Sequence, residues 1–478
     1  MRRTKIVATV GPACGQEKIL KALIQAGADV LRINTSHTSP QGLREWIRFI
    51  RKVSRTLKKD VAILVDLQGP RVRTGPLKEG KSILLKKRKI VSIILGSGVG
   101  GSNGLSQINT PCQQFPKMVK KGDRVLIDNG LIELRVLRVG KKQVQCRVIN
   151  GDLLGENKGI NLPNAPVTLP ALGKKDRDAL KIAVKFGVDY VALSFVRTRE
   201  DIQTVKKWLS RYGKQIPVIA KIEKPRAVDQ IDSIMDVSDG IMVARGDLGI
   251  EMGVEKVPVV QKQLIEKARE KNIPVITATQ MLESMIEHPR PTRAEASDIA
   301  NAVFDGTDAV MLSGETSIGK HPIEAVRFMS EIILEAERHK GIFAGPDSKK
   351  ICQRPDHPLC AITRAAQNAA HDLAAKAIVA FTMNGKTALL ISKFGSEIPI
   401  LALTPSEQVS RRLHLIRGVF PLKIDYSNST DQMILRGEQT ILGSKFLKRG
   451  DSVVIVSGQQ ELPGARYMVK IHKLGVSL

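Results

Sequence analysis

The stretch Pro217–Thr316 carries PVIAKIEK (217–224), DGIMVARGDLG (239–249) and IPVITATQMLESM (273–285). Each begins as an apolar, β-branched run, the pattern of a strand buried on both faces of a parallel sheet. Each then ends in charged or hydroxyl residues rather than turn filler: Lys221 and Glu223, Arg245 and Asp247, Thr279 and Gln280. Such strands, recurring with helices between them, predict a (β/α)8 barrel, an α/β fold whose strand C-terminal ends line the catalytic face. Lys221 and Glu223 stand two residues apart on one strand, so their side chains project to the same side. Their apolar flanks argue against a surface ion pair, since an unpaired charge there would be costly to bury. With Asp247 they form a cation beside a carboxylate pair. Few hard oxygen ligands, completed by substrate oxygens, are what Mg2+ prefers. Phosphoryl transfer needs positioning and positive charge more than covalent work from the protein. Lys221 is therefore the candidate to stabilise a transferring phosphoryl group, and Glu223 and Asp247 are the candidates to hold Mg2+.

Outward from this stretch the chain divides into three blocks. Residues 1–66 alternate strand and helix: TKIVATVG, a helix through Ile19–Ala26, ADVLRIN, a helix through Leu43–Leu57, and VAILVDLQG. From Leu67 to Pro163 come short alternating segments, among them KIVSIIL, DRVLIDN, LIELRVLRVG and KQVQCRVIN, separated by Gly and Asn turns. These predict an all-β insert. The strand–helix rhythm then returns and runs to about residue 340. Residues 1–66 and 164–340 are thus assigned to the barrel, 67–163 to a β-barrel-like lid over its mouth, and 347–478 to a C-terminal α/β domain behind a Pro- and charge-rich linker. A chain of 478 residues is too long for a single core, in keeping with that division.

Composition narrows the function classes. No apolar run approaches the length needed to span a bilayer. The opening MRRTKIVATVGP reaches a Gly-Pro turn too soon for a signal peptide. The cysteines at 14, 112, 146, 352 and 360 form no CxxC pair and read as free thiols of a reducing cytoplasm. Lys and Arg number 75 against 47 Asp and Glu, a formal net charge of +28. Residues 67–164 alone hold 18 basic and 6 acidic side chains. Such a field draws anions, nucleotides and phosphorylated metabolites included. Aromatic residues are only 4% of the chain and none interleaves with a basic motif, so specific nucleic-acid binding is not expected.

Taken together, RTKIVATVGP, VLRINTSH, DLQGPRVRTG, KGINLP, YVALSFVR, AKIEK, DGIMVARGDLGIE, ATQMLESM, PTRAEASDIANAVFDGTDAVMLSGET and LHLIRGVFPL resemble the pyruvate kinase family over nearly the full length. The resemblance implies a barrel with a β lid and a C-terminal α/β domain. It implies transfer of phosphate from phosphoenolpyruvate to ADP, giving pyruvate and ATP in glycolysis, with Mg2+ as cofactor in a cytoplasmic homotetramer. Gly246 and Asp247, at a strand-to-helix turn whose backbone N–H groups suit an anion, would hold the substrate carboxylate. Thr279 would assist protonation of the enolate. Arg32, suited to bidentate phosphate binding, is the candidate for the substrate phosphoryl group. Strand alternation places Arg32, Asn34 and Ser36 on one side. Asn34 and His37 would touch the nucleotide, and Arg73 and Lys158 resemble the family's nucleotide-phosphate contacts. In the C-terminal block, Thr382, Asn384, Gly385, Lys386 and Thr387 resemble a sugar-phosphate effector loop, with Asn384 in place of the usual Ser; an ordinary strand–turn–helix junction reads equally well.

One departure bears on cofactors. The common family motif Asp-Thr-Lys-Gly-Pro-Glu-Ile-Arg reads here Asp66-Leu67-Gln68-Gly69-Pro70-Arg71-Val72-Arg73. In the family, residues matching Asn34, Ser36 and Asp66, with the carbonyl at the Leu67 position, cradle K+ near the Glu. Arg71 occupies that Glu position, so K+ is expected not to be required, with Asn34, Ser36 and Asp66 orienting Arg71 or the active-site turn instead. Thr35 also replaces a usual Phe, and Thr38 a usual Gly. Two other classes remain to be weighed. A metal-dependent C–C lyase would need neither Lys221 nor a nucleotide-clamping lid, and an inactive RNA-binding scaffold would not retain the complete Lys221–Glu223–Asp247–Thr279 set.

Overall fold

The computed structural model describes all residues except 97, 99, 101–105, 164–168, 214, 340–356, 459–465 and 477–478. The Pro- and charge-rich linker expected from Asp347 onward, and the block edges at 164, 340 and 347, lie outside the described residues.

Eight strands close into a barrel: β1 (Lys5–Thr9), β2 (Val30–Asn34), β3 (Ala62–Leu67), β4 (Tyr190–Leu193), β5 (Val218–Ile222), β6 (Gly240–Ala244), β7 (Val275–Ala278) and β8 (Ala309–Leu312). Every strand pairs in parallel with its chain neighbours, and β8 returns to β1 with Lys5 opposite Ala309. The alternation within a strand explains the continuous apolar runs. In β1, Val7 joins one buried cluster with Val30, Leu64, Ile219 and Ile276, whereas Ile6 and Ala8 join another with Ile24, Ile47 and Ile333 of the surrounding helices. Both faces are dry, and each Val, Leu or Ile so buried contributes about 1.5–3 kcal/mol.

Local signals set the helix limits. The helix Pro40–Leu57 starts earlier than Leu43, because Ser39 caps it by accepting the Gly42 N–H at 3.1 Å and Pro40 supplies a preset φ in the first turn. Lys58 then ends it at φ +50.

Between β3 and β4 lies a seven-stranded sheet in the order Val72–Arg73, Gly159–Asn161, Arg124–Ile127, Ile132–Val139, Gln143–Asn150, Ile90–Leu95, Ser106–Thr110. Its core is built on Phe115, Ile93, Leu134 and Val144. The chain enters this sheet along Val72–Arg73 and leaves along Gly159–Asn161, and these two strands pair antiparallel, Gly159 opposite Arg73.

The C-terminal block forms a five-stranded sheet, Val419–Lys423, Ile400–Thr404, Ala377–Phe381, Ser452–Ser457, Met468–Lys473, with only the last strand antiparallel. It joins the barrel at the N-terminal ends of the strands. Tyr190 Oη donates to the Arg412 carbonyl at 2.8 Å, Lys5 Nζ donates to the Val419 carbonyl at 2.7 Å, and Arg411 pairs with Asp189 at 3.0 Å. That is the face of a barrel concerned with stability, which leaves the opposite face for chemistry.

The reading of five free thiols needs correction. Cys14, Cys112 and Cys146 are free, but Cys360 is disulfide-bonded. Pairing depends on two sulfurs meeting in space, which spacing along the chain does not report. Among the described residues no helix is long and apolar enough to cross a membrane.

Candidate active site

The C-terminal ends of β2, β3, β4 and β5 bring four charges together in a dry cluster. Lys221, only 8% exposed, donates from Nζ to Ser194 Oγ at 2.7 Å and pairs with Glu223 Oε1 at 3.0 Å and Asp66 Oδ2 at 3.3 Å. Arg32 reaches the same Asp66 oxygen with Nε and Nη2, both at 2.8 Å, and donates from Nη1 to Thr9 Oγ1 at 2.9 Å. Ser194 Oγ also donates to Asp66 Oδ1 at 3.2 Å. Two cations and two carboxylates thus offset one another where any one alone would be costly to bury. Burial by itself would push the Lys221 ammonium down, but Asp66 and Glu223 outweigh it and hold its pKa above the ordinary lysine value. Burial would likewise raise the Asp66 carboxyl, and Lys221 and Arg32 overcome it to leave the group lowered. Glu223, 1% exposed, moves upward: burial is the main cause, and the negative charge of Asp247 adds to it against the pull of Lys221.

Glu223, just after β5, and Asp247, just after the neighbouring β6, therefore feel each other's charge. A divalent cation between them would relieve the strain that burial and like charge place on Glu223, and the donors are hard oxygens of the kind Mg2+ takes. Among the described residues no group of three or more His, Cys, Asp or Glu side chains is arranged to hold a metal. A carboxylate pair fits Mg2+ only where substrate and water supply the remaining oxygens, and the cleft here is roomy enough. Its volume is about 520 Å³, and it is lined by Gly246, Asp247, Thr279 and Ser313 from the barrel side and Arg71, Arg124, Asn129 and Glu133 from the lid, with Asp247 but not Glu223 on its wall.

Gly246 and Asp247 open the helix Arg245–Met252 directly after β6. The Gly246 N–H is used by the protein itself, donating to Thr279 Oγ1 at 2.8 Å, while that hydroxyl donates to the Ala278 carbonyl at 2.5 Å. Thr279 has φ +72 and Gln280 φ +54, left-handed values that a β-branched Thr rarely adopts. Arg245 clamps the turn from below, donating to the Thr279 carbonyl at 2.7 Å and pairing with Asp298 at 2.7 Å. A strained hydroxyl at the strand end, facing the cleft, is a backbone cost that the surrounding contacts sustain.

The chain matches the family model for the pyruvate kinase barrel domain over residues 1–326 and that for the pyruvate kinase alpha/beta domain over residues 360–472. The chain belongs to the pyruvate kinase family. It is 42% identical to a pyruvate kinase of Mycobacterium tuberculosis over 475 residues, 99% of each chain. It is 40% identical to one of Clostridium perfringens, over 99% of this chain and 100% of the other. Among solved structures, a pyruvate kinase from Cryptosporidium parvum superimposes with a TM-score of 0.91 at 37% identity, covering 99% of this chain and 96% of that one. The family's phosphotransferase activity, phosphoenolpyruvate and ADP to pyruvate and ATP, is the activity of this chain.

Other expected site residues sit on the rim, and some are arranged differently from the sequence reading. β2 ends at Asn34, so alternation does not carry Ser36 to the side of Arg32. Asn34 Oδ1 instead accepts the Ser36 N–H at 3.1 Å, closing a local turn. Thr35, where the family has Phe, is buried and donates its hydroxyl to the Asp66 carbonyl at 2.8 Å. Asp66, Asn34 and Ser36 do not orient Arg71. Asp66 is engaged by Arg32, Lys221 and Ser194, and the Arg71 guanidinium pairs with Asp247 Oδ1 at 3.4 Å. A Cβ on Gly159 would come within 2.8 Å of Arg71 Nε, so that glycine makes room for the guanidinium against the lid's exit strand. Burial lowers the His37 pKa, and Arg73, Lys175, Arg71 and Arg32 push it the same way, which marks a convergence of positive charge on this edge of the cleft. Arg73 donates to the Asn157 carbonyl at 3.0 Å, and Lys158 pairs with Asp128 at 2.9 Å.

In the C-terminal loop, Thr382 Oγ1 accepts the Gly385 N–H at 2.9 Å and Asn384 Oδ1 accepts the Lys386 N–H at 3.0 Å. Two of the amides that a phosphate would take are thus already satisfied by side chains. Thr387 is buried in the helix Lys386–Lys393.

Sequence reasoning passed over Thr9, Ser194 and Lys175. Ser194 and Thr9 had a usable signal, a hydroxyl at the end of the apolar runs YVAL and IVA, while Lys175 had none.

Proposed function

We propose that phosphoryl transfer from phosphoenolpyruvate to ADP runs in this chain through Lys221 and Arg32 at the phosphoryl group and Thr279 at the enolate. The observation that carries the assignment is the burial of Lys221 between Asp66 and Glu223, which keeps a protonated ammonium aimed at the mouth of the barrel. Glu223 and Asp247 would hold Mg2+, which when bound supplies positive charge to the substrate oxygens. Arg32, fixed by Asp66 and Thr9, presents a guanidinium that need not reorganise as charge gathers on the transferring group. The Thr279 hydroxyl stands at the cleft face from which the enolate carbon takes its proton. Asn34, His37, Arg73 and Lys158 form the nucleotide side, the lid 67–163 closes over it, and residues 347–478 carry any effector site, with Thr382, Asn384, Gly385, Lys386 and Thr387 as its phosphate loop. The enzyme works in the cytoplasm as a homotetramer. A coupled assay for pyruvate formation tests the central reading: product must depend on both ADP and Mg2+, and ADP-independent pyruvate release would overturn it.

Arg71 carries a further expectation, that activity needs no K+ at a site of Asn34, Ser36, Asp66 and the Leu67 carbonyl. At about 4 Å two unit charges repel by roughly 4 kcal/mol at the effective dielectric of a protein surface. Arg71, Arg32 and Lys221 together place fixed positive charge around that edge, and the single negative charge of Asp66 is already shared between two of them. Activity with tetramethylammonium at equal ionic strength should match that with K+. Restoring Leu67→Thr, Gln68→Lys and Arg71→Glu should bring K+ dependence back; strong K+ activation of the unaltered protein would sink the idea.

A further inference from the structure

Phe195 follows β4 with φ +55, a left-handed value uncommon for any residue but glycine and costly for a bulky aromatic one. In this conformation its N–H donates to Glu223 Oε2 at 2.6 Å. Its ring is buried and lies near two cations, one from the lid's entry and one from the turn after β5. The Arg71 guanidinium lies 5.4 Å from the ring centroid and Lys224 Nζ lies 6.0 Å from it. Lys224 is paired with Glu251 at 2.5 Å, and Glu251 accepts from Asn161 of the lid's exit strand at 2.9 Å. On the entry side, the Gly69 turn packs so tightly on Ser194 that a Cβ would lie 2.4 Å from its carbonyl oxygen. Arg71 Nε has no hydrogen-bond partner and its Nη2 pairs with Asp247 at 3.4 Å, so the aromatic ring is a second anchor for Arg71 at this junction.

We propose that Phe195 is a positioning residue for the metal ligand Glu223, with its ring, held by the cations Arg71 and Lys224, forcing the left-handed backbone that aims the N–H at the carboxylate. Contacts at the base of the lid are thereby read out at the metal site. The inference rests on Glu223 and Asp247 being the divalent-metal ligands, and one assay separates the two claims. Mn2+ binding to the substrate-free protein is titrated by electron paramagnetic resonance for Glu223→Ala, Phe195→Leu, Phe195→Tyr and Lys224→Met. Glu223→Ala should abolish tight binding. Phe195→Leu, relaxed to negative φ without its ring, should bind Mn2+ about tenfold more weakly, Phe195→Tyr should recover to within about twofold, and Lys224→Met should fall about threefold. In steady-state kinetics the metal concentration for half-maximal rate should rise with little change in kcat, a split that loss of packing alone would not produce. Unchanged Mn2+ affinity in folded Phe195→Leu, or equal losses in the Leu and Tyr variants, would overturn the proposal; if Phe195→Leu does not fold, an unchanged affinity in Lys224→Met does so. Tight binding by Glu223→Ala would instead remove the ligand assignment beneath it.

Discussion

The Lys221→Met variant is expected to turn over about 10²–10³-fold more slowly than the parent, while phosphoenolpyruvate binding falls far less. Methionine preserves the length of the side chain and fills the same dry space, so the loss isolates the charge. In the parent, the ammonium is held by Asp66, Glu223 and the Ser194 hydroxyl and has no freedom to follow solvent. On the proposed role, that preorganisation would let it stabilise charge gathering on the transferring group without a reorganisation cost. Removing it leaves Asp66 with Arg32 but leaves Glu223 with only the Phe195 N–H and a neighbouring Asp247. Glu223 should then take up a proton more readily, so the variant's residual rate should rise more steeply with pH than the parent's. Steady-state kcat and KM from the coupled assay, with circular dichroism to confirm the fold, test this. Near-normal turnover would rule out the role.

The second large effect is expected at the metal. Glu223→Ala and Asp247→Ala should each abolish Mg2+-dependent activity with the barrel intact, because residues at strand C-terminal ends serve chemistry more than stability. The two should differ in thermal stability. Glu223→Ala leaves the buried Phe195 N–H without its acceptor, at about 1–3 kcal/mol, and takes one of three partners from the Lys221 ammonium, which keeps Asp66 and Ser194. Asp247 stands half-buried at the cleft, and its loss frees only the Arg71 guanidinium. A melt and an activity titration with Mg2+ on each variant suffice. Retained activity, or collapse of the fold in either, would show that the ligands lie elsewhere.

The two experiments address residues of different legibility. Lys221, Glu223 and Asp247 could be picked out because each terminates a run that is apolar on both faces, so a charge there stands out against its flanks. Arg71 was equally visible as a departure from the family motif, yet its partner was not. Of the two roles expected for Asn34, Ser36 and Asp66, orienting Arg71 is not what the fold shows, because Arg71 reaches Asp247, 176 residues away in the chain, while Asn34 and Ser36 close a local turn of their own. The loop of Thr382 and Asn384 reads equally as a phosphate loop or an ordinary strand–turn–helix junction, and only the folded loop reveals that their oxygens already cap its amides.

By itself the sequence determined the barrel, the β insert, the C-terminal α/β sheet and the strand ends where charge collects. Those features follow from periodicities of two and 3.6 residues and from the cost of burying unpaired charge, all of which act over a few neighbours. Tertiary structure alone decided which charges satisfy one another. Ser194 bridges to Asp66 across 128 residues and the Phe195 N–H finds Glu223 across 28. Hydrogen bonds and ion pairs of that kind depend on ångström distances between strand ends, and barrel closure, rather than any local pattern, sets those distances.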